Sequence, residues 1–192
     1  GRPKLALIDV GYQRGGEPRL NRNYPVAPTK IQQTVQSIRL AYGLSPTITL
    51  RGHLPLIHQS TDHISVIPGY DEFNISSDGI GDIVLLADSI IYQSVNSVLR
   101  LGSGLSFPTG SIDEQGDTPR APGDQQLPYT MQLGSGTWDL PLLVSYQKYE
   151  EVIIWGVEAN ARIRTGRTDR DYSLGDTYSL GGWLELPMSD EV

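Results

Sequence analysis

Charged side chains at every second position are the residues of this chain whose types and spacing could do chemistry together. Arginines, carboxylates and one histidine alternate with apolar residues in several segments of the 192-residue chain. Alternate residues of an extended strand share one face, so we predict that these groups line the lumen of a barrel. There they either pair and plug the interior or set the ionic preference of a water-filled passage. The predicted lumen residues are Arg39, Arg51, His53, Asp82, Asp88, Arg100, Asp139, Glu158, Arg162, Arg164 and Glu185.

The elements that must position these charges are strands with one apolar face. Ile38, Leu40 and Tyr42 alternate with Arg39 and Ala41. The same pattern recurs in 48–56, 99–107, 138–147 and 153–164, and less regularly in 5–13, 81–92 and 177–186. These segments approach the 9–11 residues that a strand needs to cross a bilayer, whereas strands of soluble sheets cluster near 5–6. The only stretch with helical spacing is 29–38.

Aromatic residues and loop lengths support the same orientation. Tight connections at 43–46, 93–97 and 147–152 alternate with long polar ones at 14–30, 59–78, 108–136 and 165–176. Short turns at one end and long loops at the other are typical of outer-membrane barrels, and so are aromatic belts near the strand ends. The predicted membrane-interface aromatics are Tyr12, Tyr42, Trp138, Tyr146, Trp155 and Tyr178.

Composition excludes several other classes of protein. The absence of cysteine excludes a disulfide scaffold, a zinc-thiolate site and a thiol nucleophile. A net charge of −7 with only 15 Lys and Arg residues argues against binding to a phosphate backbone, so no nucleic acid is expected as partner. The sequence contains no run of about 18 apolar residues, the length that a membrane-spanning helix needs. If the protein is exported, we expect that its leader has already been removed.

Catalytic and metal-binding motifs are not found in the sequence. There is no nucleophile elbow, no phosphate-binding Walker loop and no zinc-protease motif. His53, His58 and His63 recur at intervals of five, which places them on alternating faces of a strand or in a loop, not around one metal. The acidic residues of 113–124 could offer oxygen ligands to calcium, but they lack the spacing of a calcium-binding loop. We therefore expect no cofactor, no metal and no enzymatic step.

Several motifs resemble a known family. Gly79-Ile80-Gly81-Asp82 enters one segment, and further motifs follow it: Leu105-Ser106-Phe107-Pro108-Thr109-Gly110-Ser111-Ile112-Asp113-Glu114, Asp117-Thr118-Pro119 and Leu127-Pro128-Tyr129-Thr130-Met131-Gln132-Leu133-Gly134-Ser135-Gly136-Thr137-Trp138-Asp139-Leu140. Together they resemble bacterial outer-membrane barrels known only as transporters, which are relatives of the family of the meta-pathway of phenol degradation (MetA-type). The resemblance is strongest from Gly79 to about Trp183, and it implies an outer-membrane barrel with a transport role.

The predicted fold is all-β: a transmembrane antiparallel up-and-down β-barrel with about eight visible strands, which could be part of a larger barrel. We expect one barrel domain over 1–192, C-terminally incomplete because barrels of this family have more strands and commonly end in an aromatic residue. The predicted function is a channel or transporter for a small solute in the outer membrane of a Gram-negative bacterium, in contact with lipid.

Three alternatives remain open from the sequence. The first is a non-conducting barrel whose lumen is sealed by ion pairs and whose loop 108–136 docks a protein partner. The second is a soluble β-sandwich that binds a ligand and exposes its polar faces to water. The third is a barrel-embedded hydrolase that uses Ser103 or Ser106 with His53.

Overall fold

A computed structural model describes residues 4–15 and 25–186, with only the backbone described for 4–15. None of the helices in this part of the chain is long and apolar enough to cross a bilayer. Nearly all regular structure is β: the strands are β1 Lys4–Gly15, β2 Val26–Gly43, β3 Ile48–Ser65, β4 Glu72–Ile80, β5 Ile83–Gln93, β6 Ser97–Phe107, β7 Gln115–Thr118, β8 Ala121–Gln126, β9 Asp139–Tyr149, β10 Ile154–Arg164 and β11 Thr177–Glu185.

The large sheet is an antiparallel meander in the order β1-β2-β3-β5-β6-β9-β10-β11, and β4 pairs with the far half of β3. Each strand follows its sequence neighbour, except that the β7–β8 hairpin lies apart from this sheet. Within the described residues β1 and β11 each have one partner strand, so the sheet is an open half-barrel there. The predicted all-β, antiparallel, up-and-down architecture is confirmed.

The sheet curves around its charged face. A cavity of about 490 Å³ is lined both by β2 and β3 and by β10 and β11, which lie near opposite edges of the sheet. The face that lines this cavity, here called the inner face, carries Arg51, Asp88 and Asp139. The opposite, outer face carries the alternating aliphatic residues, among them Leu101 and Val144, which are 44% and 45% exposed.

Two local predictions were wrong. Residues 59–78 form no long loop, because β3 runs on to Ser65 and pairs with β4 from Glu72, leaving only 66–71 as the connection. Residues 29–38 form no helix, because they belong to β2, which hydrogen-bonds to β1 on one side and β3 on the other. In both stretches, backbone pairing with neighbouring strands overrides a local pattern that is polar and weakly helical.

β4 and β5 are two halves of one strand that is interrupted by a bulge. Ile80 pairs with Leu56 and Val84 with His53, so three residues (81–83) stand opposite two of β3. An extra residue in one strand shifts the inward and outward alternation and re-aims the bulged side chain. The bulge places Asp82 just before β5. The irregular alternation in 81–92 has other causes: Val84, Leu86 and Ile90 are apolar but share the face of Asp88, and the pairing with β6 shifts register between Ile90 and Tyr92.

Candidate functional site

The inner face is organised around Asp88 on β5. Its side chain is fully buried, and its two oxygens accept from different arginines: Arg51 Nε at 2.6 Å and Arg100 Nη1 at 3.2 Å. These arginines lie on β3 and β6, the two strands that flank β5. Hydrogen bonds between ionised groups are roughly twice as strong as neutral ones, but a buried carboxylate without such partners is very costly. Asp88 therefore fixes three neighbouring strands and leaves one positive charge in excess.

A second buried carboxylate, Asp139, lies at the start of β9. It pairs with Arg164 at the end of β10, the adjacent strand, and accepts a hydrogen bond from Thr137 Oγ1 at 2.8 Å. Asp139 is 1% exposed, so these partners replace the water it has lost. All three ion pairs bring together residues predicted to line the lumen, and they lie inside the curve of the sheet.

The other predicted lumen residues are less fully paired. His53 shares a hydrogen bond of 3.0 Å with Ser37, and Glu158 accepts from the Asn160 amide at 2.9 Å. Arg39 and Arg162 line the cavity together with them. Glu185 is exposed on the edge strand β11, where it stands opposite Ile154.

Asp82 differs from the other carboxylates because, within the described residues, it accepts hydrogen bonds from backbone N–H groups and not from side chains. Its two oxygens accept the backbone N–H groups of Gly110 at 3.1 Å and Ser135 at 2.8 Å. These two residues stand near the two ends of residues 108–138, here called the long loop. Gly110 and Gly134 lie in direct backbone contact, which leaves no space for a Cβ atom at either position. The bulge thus directs the buried Asp82 carboxylate at the place where the two ends of the long loop meet, here called the neck, and the carboxylate holds these two ends together.

The long loop folds back onto the inner face of β3 and β4. Leu127 and Met131, which are 2% and 5% exposed, pack with Ile75 in a small apolar core, against which Phe73 also lies. Met131 belongs to a short 3-10 helix, Tyr129–Met131, that follows the β7–β8 hairpin. The loop is therefore packed structure and not a solvated connection.

Polar side chains that the sequence analysis missed join the loop to the sheet. Ser77 Oγ donates to the Met131 carbonyl at 2.6 Å, and Gln59 Nε2 donates to Ser77 Oγ at 2.9 Å. Within the loop, Gln132 Oε1 accepts from Glu114 N and its Nε2 donates to the Leu127 carbonyl, both at 2.9 Å. Only part of this network has a signal in the sequence: Phe73 and Ile75 alternate with polar residues in 72–76, which indicates a strand, whereas Gln59 lies in a stretch that is polar on both faces.

Acidic residues of the long loop are engaged by other side chains. Asp113 pairs with Arg170 of the 165–176 loop, and Asp117 accepts from the Tyr70 hydroxyl and from Gly123 N. The hydrogen bond to Asp117 raises the pKa of the Tyr70 phenol. In residues 25–186 no group of three or more His, Asp or Glu side chains is arranged to hold a metal ion. The side chain of Asp124 lies outside the described part.

The five predicted interface aromatics whose side chains the structure describes occupy the outer face near its two ends. Trp138 contacts Phe107 at the long-loop end, with ring centroids 5.0 Å apart, and Tyr146 contacts Trp155 at the short-turn end, at 5.7 Å. The eight residue-to-residue steps from Trp138 to Tyr146 span roughly 27 Å of strand at about 3.4 Å per step. Tyr178 and Tyr42, which are 72% and 52% exposed, also point outward. Tyr12 of β1 pairs with Gln33 of β2, and the side chain of Tyr12 is outside the described part.

The serines proposed for a hydrolase are not arranged around His53. Ser106 is fully buried on the inner face without a hydrogen bond for its Oγ, and Ser103 is exposed on the outer face. The His53 imidazole instead bonds Ser37. A nucleophile requires a base within hydrogen-bond reach, and neither serine has His53 as a partner.

Comparison with known proteins identifies the fold. No family model matches the chain, and no curated protein matches it. The crystal structure of an outer membrane channel from Pseudomonas putida F1 is similar, with a TM-score of 0.50 and 19% sequence identity over 81% of this chain and 54% of that chain. The chain thus spans about half the length of that channel. The open antiparallel sheet described above has the fold of part of an outer-membrane β-barrel.

Proposed function

We propose that this chain forms the wall of a channel in the outer membrane of a Gram-negative bacterium, through which a small solute passes passively. The observation that carries the proposal is the division of the sheet into two faces. Aliphatic side chains are exposed across the outer face, whereas Asp88 and Asp139 are buried on the inner face and pair there with arginines. Water-soluble proteins rarely expose an apolar surface of this extent, and lipid-facing barrels require it.

The two faces also bear on the soluble alternative. In a β-sandwich, the aliphatic faces of two sheets pack against each other. Here the exposed outer-face residues belong to consecutive strands of one sheet, for example Leu85, Leu101, Val144 and Val157. The similarity in fold to an outer membrane channel supports the same reading. We propose that residues 1–192 form a single barrel domain in contact with outer-membrane lipid.

The relationship to the meta-pathway phenol-degradation family is part of this proposal and rests on the sequence motifs. The structure gives those motifs a common role: Asp82 of the first motif binds the backbone of Gly110 and Ser135, which lie in the other two long motifs. Because these motifs together hold one loop over the inner face, we propose that they control the passage of solute along that face. We propose that transport involves no enzymatic step.

A second candidate function is a non-conducting barrel that binds a protein partner through its loops. The observation that favours it is the packing of the long loop onto the inner face, together with the ion pairs of Asp88 and Asp139. If the loop and these pairs fill the whole cross-section, no solute passes. The long loop, tied to the 165–176 loop through Asp113 and Arg170, would then offer the docking surface.

Conductance separates the two functions. We expect that the purified, detergent-extracted protein inserts into a planar lipid bilayer and produces discrete current steps in 1 M KCl. Removing the packed part of the long loop, 112–132, while keeping the closed neck, is expected to increase the unit conductance severalfold, because the loop covers the inner face. A protein that inserts but carries no current in either form would support the sealed barrel instead.

A further inference from the structure

The inner cavity between β2–β3 and β10–β11 combines positive charge with an apolar floor. Arg39 and Arg51 line one side, Arg162 lines the other, and Val84 and Leu143 lie between them on β5 and β9. The cavity volume of about 490 Å³ lies within the range of roughly 300–1,000 Å³ that small-molecule sites have. It is therefore large enough to hold an organic solute.

Two of the three arginines that line this cavity have no carboxylate partner in the part of the chain that the structure describes. Within the described residues, no Asp or Glu oxygen lies within 4.0 Å of the guanidinium of Arg39 or of Arg162. Both guanidinium groups act electrostatically on the His53 imidazole, which lines the same cavity. Arg51 is only half-neutralised, because it shares Asp88 with Arg100. This concentration of positive charge occurs in a chain whose net charge is −7.

Among the described side chains, a single carboxylate lines the cavity. Glu158 is the carboxylate in its lining, and it accepts a hydrogen bond from Asn160. Asp139 and Asp82 also attract Arg162 from outside the lining. Asp139 is neutralised by Arg164, whereas Asp82 binds two neutral backbone N–H groups and keeps its charge. The planar guanidinium fork matches a carboxylate bidentately, and a partly desolvated arginine gains most from such a partner.

We propose, on the basis of the channel function above, that this cavity binds a small organic carboxylate. The anionic head lies between Arg39 and Arg162, and the apolar body lies against Val84, Leu86 and Leu143. The two arginines supply positive charge and hydrogen-bond donors. The apolar floor packs against an alkyl body but offers nothing to replace the water of a strongly hydrated inorganic anion, so such an anion binds less tightly. The cavity therefore selects amphipathic anions over cations and neutral molecules of the same shape.

Calorimetric titration of the full chain in neutral detergent tests this assignment. The probes are hexanoate, hexanol and hexylammonium, which share one alkyl body and differ in charge, and the heat from empty micelles is subtracted. We expect saturable binding of hexanoate and at least about tenfold weaker binding of the other two. A double substitution, Arg39→Gln with Arg162→Gln, is expected to weaken hexanoate binding at least about tenfold, since charge-assisted hydrogen bonds are lost.

A matched control removes the same charge elsewhere. Arg120→Gln with Arg167→Gln alters two exposed loop arginines outside the cavity and is expected to leave hexanoate binding unchanged. Equal binding of hexanoate and hexanol, or equal loss in the two double variants, would overturn the carboxylate site. Current steps without arginine-dependent hexanoate binding would support the channel and reject the carboxylate site. Arginine-dependent binding without current would support the site and reject the channel.

Discussion

Replacing Asp88 with alanine is expected to lower the free energy of unfolding by about 3 kcal/mol, the lower end of the range for breaking a buried ion pair. The Asp88 carboxylate is fully buried and is held by Arg51 and Arg100 on two different strands. Without it, two guanidinium groups face each other with no counter-charge. The cost stays at the lower end because the Arg51 side chain is 44% exposed and can turn toward water.

Urea unfolding of the detergent-solubilised protein measures this effect. Glu158→Gln is the matched control, because that carboxylate is only half-buried and its hydrogen-bond partner is the neutral Asn160 amide. We expect a clear fall in the urea midpoint for Asp88→Ala with an unchanged slope, and a change below about 1 kcal/mol for Glu158→Gln. Equal effects of the two substitutions would show that Asp88 is not the electrostatic centre of the inner face.

Replacing Val144 with arginine is expected to destabilise the protein by about 2–4 kcal/mol in lipid, the cost of a cation at mid-depth on the lipid face of a barrel. Val144 lies mid-strand on the outer face of β9, between Leu101 of β6 and Ala159 of β10. Its side chain is 45% exposed. An arginine there meets hydrocarbon instead of water.

Val95→Arg provides the control for this substitution. Val95 is fully exposed in the short turn between β5 and β6, so the same chemical change falls at the end of the sheet. Near the interface the expected cost is below about 1 kcal/mol. Unfolding in lipid vesicles measures both variants. If Val144→Arg cost as little as Val95→Arg, the outer face would lie in water, because exposed sites of water-soluble proteins tolerate such changes within about 0.5 kcal/mol.

The alternation of residue types was sufficient to predict most strands of the large sheet. Between Asp139 and Ser145, for example, buried and exposed residues alternate with a period of two. This works because a single rule, apolar side chains outward, applies wherever one face meets an apolar medium. The candidate charges of β3, β5, β6, β9 and β10 consequently lie on one face, as their spacing predicts.

The remaining structure depends on contacts that a local pattern does not contain. The far half of β3 and β4 carry polar residues on both faces, so the rule that predicts the other strands does not apply to 59–78. The bulge at Asp82 changes the alternation by one residue, and its role appears only when Gly110 and Ser135 are brought to it. The folding of the long loop onto Ile75 joins residues about 50 positions apart, which no spacing within one segment reveals.

The most direct test of the central claim is the accessibility of spin labels along β10. The chain has no cysteine, so single cysteines can be placed at Val157, Glu158, Ala159 and Asn160 without altering a native thiol. In lipid vesicles, we predict frequent collisions with oxygen at 157 and 159, which face outward, and with a water-soluble nickel complex at 158 and 160. Preferential access of the nickel complex to 157 and 159 would contradict the account, because it would place the aliphatic face in water.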